Sequence, residues 1–193
     1  MNKQDDTVFL QGNRLYLRPI RRDDLPLLLK WTNDPDLRDM YLRRHFPVDE
    51  IEAGEWMAQL HKRSDAVSMV ICLNDGRPIG IIGVHTIDWK NRLGESETVI
   101  GEKEFWSKGY ATEAKMILLH YAFDTLNLRK MHGSIYGFNK GSLAYNQKCG
   151  YQVEGVQRQH VFKNGEYHDR LLVAVFREDW RPIWERFQKT GKL

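Results

Sequence analysis

The chain has 193 residues, 41% of them hydrophobic, which is the size of one domain with one substantial core and argues against a second catalytic domain. Lys and Arg number 29 against 26 Asp and Glu, a formal charge of +3 spread without any basic block, so dedicated nucleic-acid binding is not expected. Cys72 and Cys149 lack CxxC spacing and no histidines stand beside them at ligand intervals, so neither a metal site nor a disulfide framework is expected; with a polar amino terminus and no run of ~18 apolar residues, a cytoplasmic protein without membrane span is predicted.

Residues 9–187 are expected to form the folded unit, with 1–8 and 188–193 as flexible tails. Residues 14–20 alternate Leu15 and Leu17 with Tyr16 and Arg18, a strand pattern, and Arg22-Asp23-Asp24 opens a helical run to Trp31. After Pro47, residues 48–63 read as an amphipathic helix turning Ile51, Trp56, Met57 and Leu60 to the core. Residues 66–73 and 78–87 are β-branched strands joined by Asn74-Asp75-Gly76-Arg77, whose Asp-Gly pair signals a hairpin. A strand at 95–101, a loop and a helix at 109–125 follow, then a strand at 130–137 and a short helix at 139–149. Residues 151–176 form two strands turning at Lys163-Asn164-Gly165-Glu166, and a last helix lies near 178–187. The order βααβββαβαββ predicts an α/β (α+β) fold in which a mixed sheet of about seven strands is flanked by helices.

The junction FWSKGYATEA places a small, flexible loop between a strand and a helix start. Such a junction is suited to anions, because the unpaired N–H groups of the first helical turn point outward, the helix dipole adds about half a positive charge, and a glycine admits close approach. Lys108 adds a full charge. Neither GxxxxGK[ST] nor GxGxxG occurs, so the familiar nucleotide loops are excluded.

FWSKGYATEA resembles the acyl-CoA pyrophosphate loop of the GNAT acetyltransferases, and NKGSLAYNQKCGYQVEG, beginning at Asn139, resembles the helix and strand that follow it there. The likeness extends through RLYLRPIRRDDLPLLLKW, WTNDPD and VFKNGEYHDRLLVAVF to nearly the whole chain, and its layout is similar to the branch of ribosomal-protein N-terminal acetyltransferases and spermidine N-acetyltransferases. The resemblance implies one GNAT domain, splayed at an acetyl-CoA site, that transfers an acetyl group to a primary amine of a small molecule or a protein N-terminus. It implies that the backbone of Thr98, Val99 and Ile100 pairs with the pantetheine arm, that Phe105, Trp106, Ser107, Lys108, Gly109, Tyr110 and Ala111 wrap the pyrophosphate, and that Asn139 holds the arm from the other side, with Ser142 near the cofactor. Trp106 stands where the family often has Gln or Arg and is read mainly as packing.

Acyl transfer needs a donor aimed at the carbonyl oxygen and a route for the amine proton. The family uses a strand N–H as the donor, for which Val99 is the choice here. Glu95 and Glu97, two apart and so on one strand face, either act as base through a water or attract a cationic acceptor. The family's leaving-group acid, a Tyr, is replaced by Asn146, which is left to hydrogen-bond the sulfur or the arm; Tyr145 is expected to point about 100° away into a packing position. His160, Tyr167, His168 and Asp169 on the last hairpin border the acceptor side in that branch. The alternative reading is a non-catalytic acyl-CoA-binding sensor or scaffold, motivated by the missing Tyr. A homodimer through exposed aromatics is compatible with the sequence but not derivable from it.

Overall fold

The computed structural model describes residues 7–40, 46–60 and 62–191. In chain order it runs β1 (Leu10–Gln11), β2 (Leu15–Pro19), α1 (Leu25–Asn33), α2 (Pro35–Met40), α3 (Glu50–Leu60), β3 (Val67–Leu73), β4 (Pro78–Asp88), β5 (Leu93–Ile100), α4 (Tyr110–His120), β6 (Lys130–Tyr136), α5 (Lys140–Lys148), β7 (Gln152–Lys163), β8 (Glu166–Phe176) and α6 (Arg177–Thr190). The strands form one sheet in the order β1-β2-β3-β4-β5-β6-β8-β7. That is eight strands rather than about seven, because β1 is too short to leave a periodic pattern in the sequence. The last helix also extends past Phe187 to Thr190, where Gly191, at φ 67°, ends it in a left-handed turn. Of the expected tails, residues 1–6 and 192–193 lie outside the described residues.

All neighbouring strands are antiparallel except β5 and β6, which run parallel because α4 crosses between them. That parallel ladder is short, pairing only Leu93 with Lys130, Gly94 with Met131 and Glu95 with His132. Beyond Glu95 the strands diverge. β5 stays on β4 as far as Gly80↔Ile100, while β6 stays on β8 as far as Tyr136↔Arg170. A wedge therefore opens in the middle of the sheet.

Side-chain alternation splits the core between the two faces. Leu15, Leu17, Met69, Ile71, Ile79 and Ile100 pack with the buried residues of α4 and with Trp180 and Trp184 of α6. Val99, next along β5, instead meets Leu28, Trp31 and Leu37 of α1 and α2. In α3 the predicted face is shifted: Ala53 is buried with Trp56 and Met57 packed inward, while Ile51 is 74% exposed. Positions 53, 56, 57 and 60 form one stripe at helical spacing, and 51 falls on the opposite side.

Two buried carboxylates fasten helices to the sheet. Asp24 grips Arg18 of β2 through both oxygens at 2.8 Å and accepts from the Arg21 backbone at 2.7 Å, which fixes the entry to α1. Glu113 of α4, 3% exposed, accepts at 2.8 Å from the backbone N–H groups of Asn13 and Arg14 and at 2.7 Å from the Arg14 guanidinium. The start of α4 is thereby tied to the β1–β2 turn. Replacing Glu113 with Ala strips all three donors of their acceptor; urea titration is expected to show a loss of about 2–3 kcal/mol, smaller for Glu113→Gln, which keeps one acceptor oxygen.

Candidate functional site

A cleft of about 760 Å3 occupies the wedge between β5 and β6, with the loop before α4 at one end and α5 along one wall. The loop is shaped by two left-handed residues, Ser107 at φ 59° and Gly109 at φ 82°, with Gly109 in the cap position before α4. Among the described residues, no backbone acceptor meets the N–H groups of residues 107–112; the first helical bond is Glu113 N–H to the Gly109 carbonyl at 3.1 Å. Consecutive unpaired N–H groups in such a turn form an anion-binding concavity. Phe105, Trp106, Ser107, Gly109, Tyr110 and Ala111 all line the cleft. Lys108 does not: its side chain is exposed and its carbonyl accepts from Arg14 at 3.0 Å. Lys140 and Lys148 of α5, not singled out in the sequence, are the lysines at the rim.

Along β5 the register decides which backbone groups face the wedge. Gly101 N–H donates to the Ile79 carbonyl on β4 at 2.8 Å, so by the alternation of an antiparallel ladder the Val99 N–H also points to β4. Thr98 and Ile100 present their backbone groups to the wedge instead. Trp106 confirms that direction, its indole N–H donating at 2.7 Å to the Ile100 carbonyl. Val99 thus spends its N–H within the sheet, and the neighbouring N–H that faces the wedge is that of Thr98. The Thr98 hydroxyl is itself buried, facing the Tyr145 phenol.

On the opposite wall Asn139 caps α5, its side-chain oxygen accepting from Ser142 N–H at 2.9 Å. Asn146, one turn on and buried, donates to the Ser142 carbonyl at 2.9 Å. Tyr145 departs from expectation: its ring lines the cleft and its phenol lies beside Asn146, Thr98 and Ser142, with burial holding it above the usual tyrosine range. The 100° step along α5 turns this side chain toward α4 and β5 rather than away.

Glu95 and Glu97 both reach the cleft, from the α1–α3 face of β5. Gly83 stands directly across from Glu97, and the imidazole of His85 fills the space a side chain would take, placing Nε2 3.2 Å from Glu97. Sequence reasoning missed His85; its only trace is a diagonal relation across two strands, visible once the β4–β5 register is known. The hairpin residues His160, Tyr167, His168 and Asp169 do not line the cleft; His168 faces Phe138 and Asp169 accepts from the Gln159 backbone at 2.9 Å.

Lys115 was also missed. It projects from α4 into the apex of the wedge, 1% exposed, and donates to the Ser96 hydroxyl at 2.8 Å between the rings of Tyr145 and Tyr151. Burial lowers its pKa to about 8. Because the unfolded side chain, with its ordinary value of 10.5, binds more protons than the folded one between about pH 8 and 10.5, this residue makes stability rise with pH across that window. Denaturant unfolding at a series of pH values should show wild type gaining up to about 3 kcal/mol over Lys115→Met between pH 8 and 10, with the Met variant the more stable at pH 7.

No metal-binding group of His, Cys, Asp and Glu occurs among the described residues, and no helix there is long and apolar enough to cross a membrane. Residues 14–152 match a family model described as acetyltransferase (GNAT) domain. The chain is similar to an uncharacterized prophage-derived N-acetyltransferase of Bacillus subtilis, YokL, at 29% identity over 174 residues, covering 90% of this chain and 96% of that protein. It is similar to spermidine N(1)-acetyltransferase of Escherichia coli K12 at 25% identity over 169 residues, 88% of this chain and 89% of that one. The crystal structure of spermidine N-acetyltransferase from Vibrio cholerae in complex with CoA and spermine shares the fold, with TM-score 0.81 at 22% identity over 87% of this chain and 98% of the other.

Proposed function

The chain belongs to the GNAT acetyltransferase family, and we propose that its acceptor is a cationic primary amine of the polyamine class. The activity that comes with the family is transfer of the acetyl group of acetyl-CoA to an amine. The observation that carries the site assignment is the run of unpaired N–H groups at residues 107–112, opening into the wedge where β5 has left β6.

In this reading the left-handed loop holds the pyrophosphate through backbone N–H groups, with Lys140 and Lys148 supplying the charge that Lys108 does not. Thr98 and Ile100 pair with the pantetheine arm on one side and Asn139 meets it on the other, while Ser142 and Asn146 line its path. Acetyl-CoA brings the acetyl group already activated as a thioester. The Thr98 N–H, fixed in the strand before any substrate arrives, is the donor for the carbonyl oxygen.

A polyamine nitrogen with pKa near ~10.4 is neutral in only about one molecule in a few thousand at pH 7, so the site must both attract the cation and remove its proton. Glu97, steadied by His85, takes that proton directly or through a water, and Glu95 adds attraction on the same strand face. The similarity to spermidine N(1)-acetyltransferase supports this acceptor class. Lys115 on the cleft wall removes the motive for a non-catalytic sensor, which was the lack of a proton donor at Asn146. Cys72 and Cys149 are buried and form no disulfide among the described residues, in keeping with a reducing compartment, and we place the reaction in the cytoplasm.

Mass spectrometry of products from an amine panel with acetyl-CoA tests the acceptor. Acetylated spermidine or spermine is the expected product; transfer to peptide N-termini with polyamines untouched would reverse the assignment. Gly109→Asp puts a carboxylate on the phosphate loop at a left-handed position, and calorimetry should show acetyl-CoA affinity falling at least about 100-fold, roughly 3 kcal/mol.

A further inference from the structure

We propose that Lys115 is a catalytic residue of this acetyltransferase, giving a proton to the sulfur of CoA as it departs from the acetyl carbon. The inference rests on acetyl-CoA occupying the wedge and goes beyond it by assigning the leaving-group acid to α4.

The position of Lys115 is set by Ser96, the first residue of β5 past the last pairing with β6. An ammonium 2.8 Å from the Ser96 hydroxyl is therefore at the point where the strands part, on the inner boundary of the cleft. It has three protons to donate, and the Ser96 oxygen takes one. The Ser96 hydroxyl is shared in turn with the Tyr151 phenol at 2.7 Å. Among the described residues no carboxylate forms an ion pair with Lys115; its other neighbours are the faces of Tyr145 and Tyr151, at 5.9 and 5.5 Å from the ring centres. A fully buried cation without an anion is expensive unless a ligand supplies the negative charge. A thiolate forming in the wedge is such a charge.

The other groups on that wall are poor acids for the task. Asn146 has no titratable proton. Tyr145 and Tyr151 are held above the ordinary tyrosine range by burial, and Cys149, in the core behind the cleft lining, is pushed up to about 12. Glu97 acts on Lys115 through space from the other side of β5, and Lys140 and Lys148 are the cations on α5 that line the cleft. Lys115, lowered to about 8, is matched to a thiol near ~8.5, the condition under which proton transfer is efficient at neutral pH. In the step, the acceptor nitrogen forms its bond to the acetyl carbon, the carbon–sulfur bond breaks with its electron pair on sulfur, and Lys115 passes a proton to sulfur. The proton released by the acylated nitrogen, carried through Glu97 and solvent, restores the ammonium.

The test compares wild type with Lys115→Met and with Lys115→Gln, which keeps a donor for Ser96 but has no acidic proton. Both are expected to lower kcat at least about 100-fold with the KM for acetyl-CoA within a few-fold, and to abolish a fall in wild-type kcat above about pH 8. Binding gives a readout without turnover: calorimetry should find CoA bound more tightly than desulfo-CoA by wild type and equally by both variants. Variants that keep wild-type kcat, its alkaline limb and the preference for CoA would overturn the role of Lys115 while leaving the acetyltransferase site intact. A wild type that binds neither acetyl-CoA nor CoA would overturn the site assignment, and this inference with it.

Discussion

Where β5 and β6 part, backbone groups that a continuous sheet would satisfy are left facing one another across a gap. A buried polar group without a partner costs about as much as a lost hydrogen bond, so the gap must be filled by something that offers the same pattern of donors and acceptors. The divergence is stable because each strand is committed elsewhere, β5 to β4 and β6 to β8. Trp106 satisfies the Ile100 carbonyl at the edge. What is left, chiefly on Thr98 and Ile100, is the pattern of an amide-bearing chain lying as an extra strand.

The phosphate end obeys the same logic with different parts. A left-handed Ser107 carries backbone strain of order 1 kcal/mol or more that a flexible loop would relax. Glu113 prevents this by fixing the first turn of α4 to residues about a hundred positions earlier in the chain. Arg14 adds a bond to the Lys108 carbonyl and lies over the Tyr110 ring at 4.4 Å. The N–H groups are thus oriented before a ligand arrives, and binding does not have to organise them.

Charge is divided across the sheet. Carboxylates approach the wedge from the α1–α3 face on odd-numbered positions of β5, and the Lys115 ammonium approaches from the α4 face beside an even-numbered one. A reaction that takes a proton from an amine and returns one to a thiolate needs an acceptor and a donor that do not neutralise each other. A strand, whose successive side chains point to opposite faces, keeps them apart.

The sequence by itself determined the order of the elements apart from the short β1 and α2, and the loop before α4, because period-two alternation, an Asp-Gly turn and a glycine ahead of a helix are local patterns. Through its resemblance to a known family it also pointed to Thr98, Ile100, Gly109, Asn139 and Asn146, which the structure brings to the lining of one cleft. It did not determine which way β5 faces: that the Thr98 N–H and not the Val99 N–H faces the wedge follows from the register with β4, a property of two strands together. Nor did it show that Lys115 forms no ion pair with a carboxylate among the described residues, that Gly83 makes room for His85, or that Tyr145 turns toward α4. Those facts were decided only by the tertiary structure, since burial and charge compensation depend on neighbours brought from distant parts of the chain.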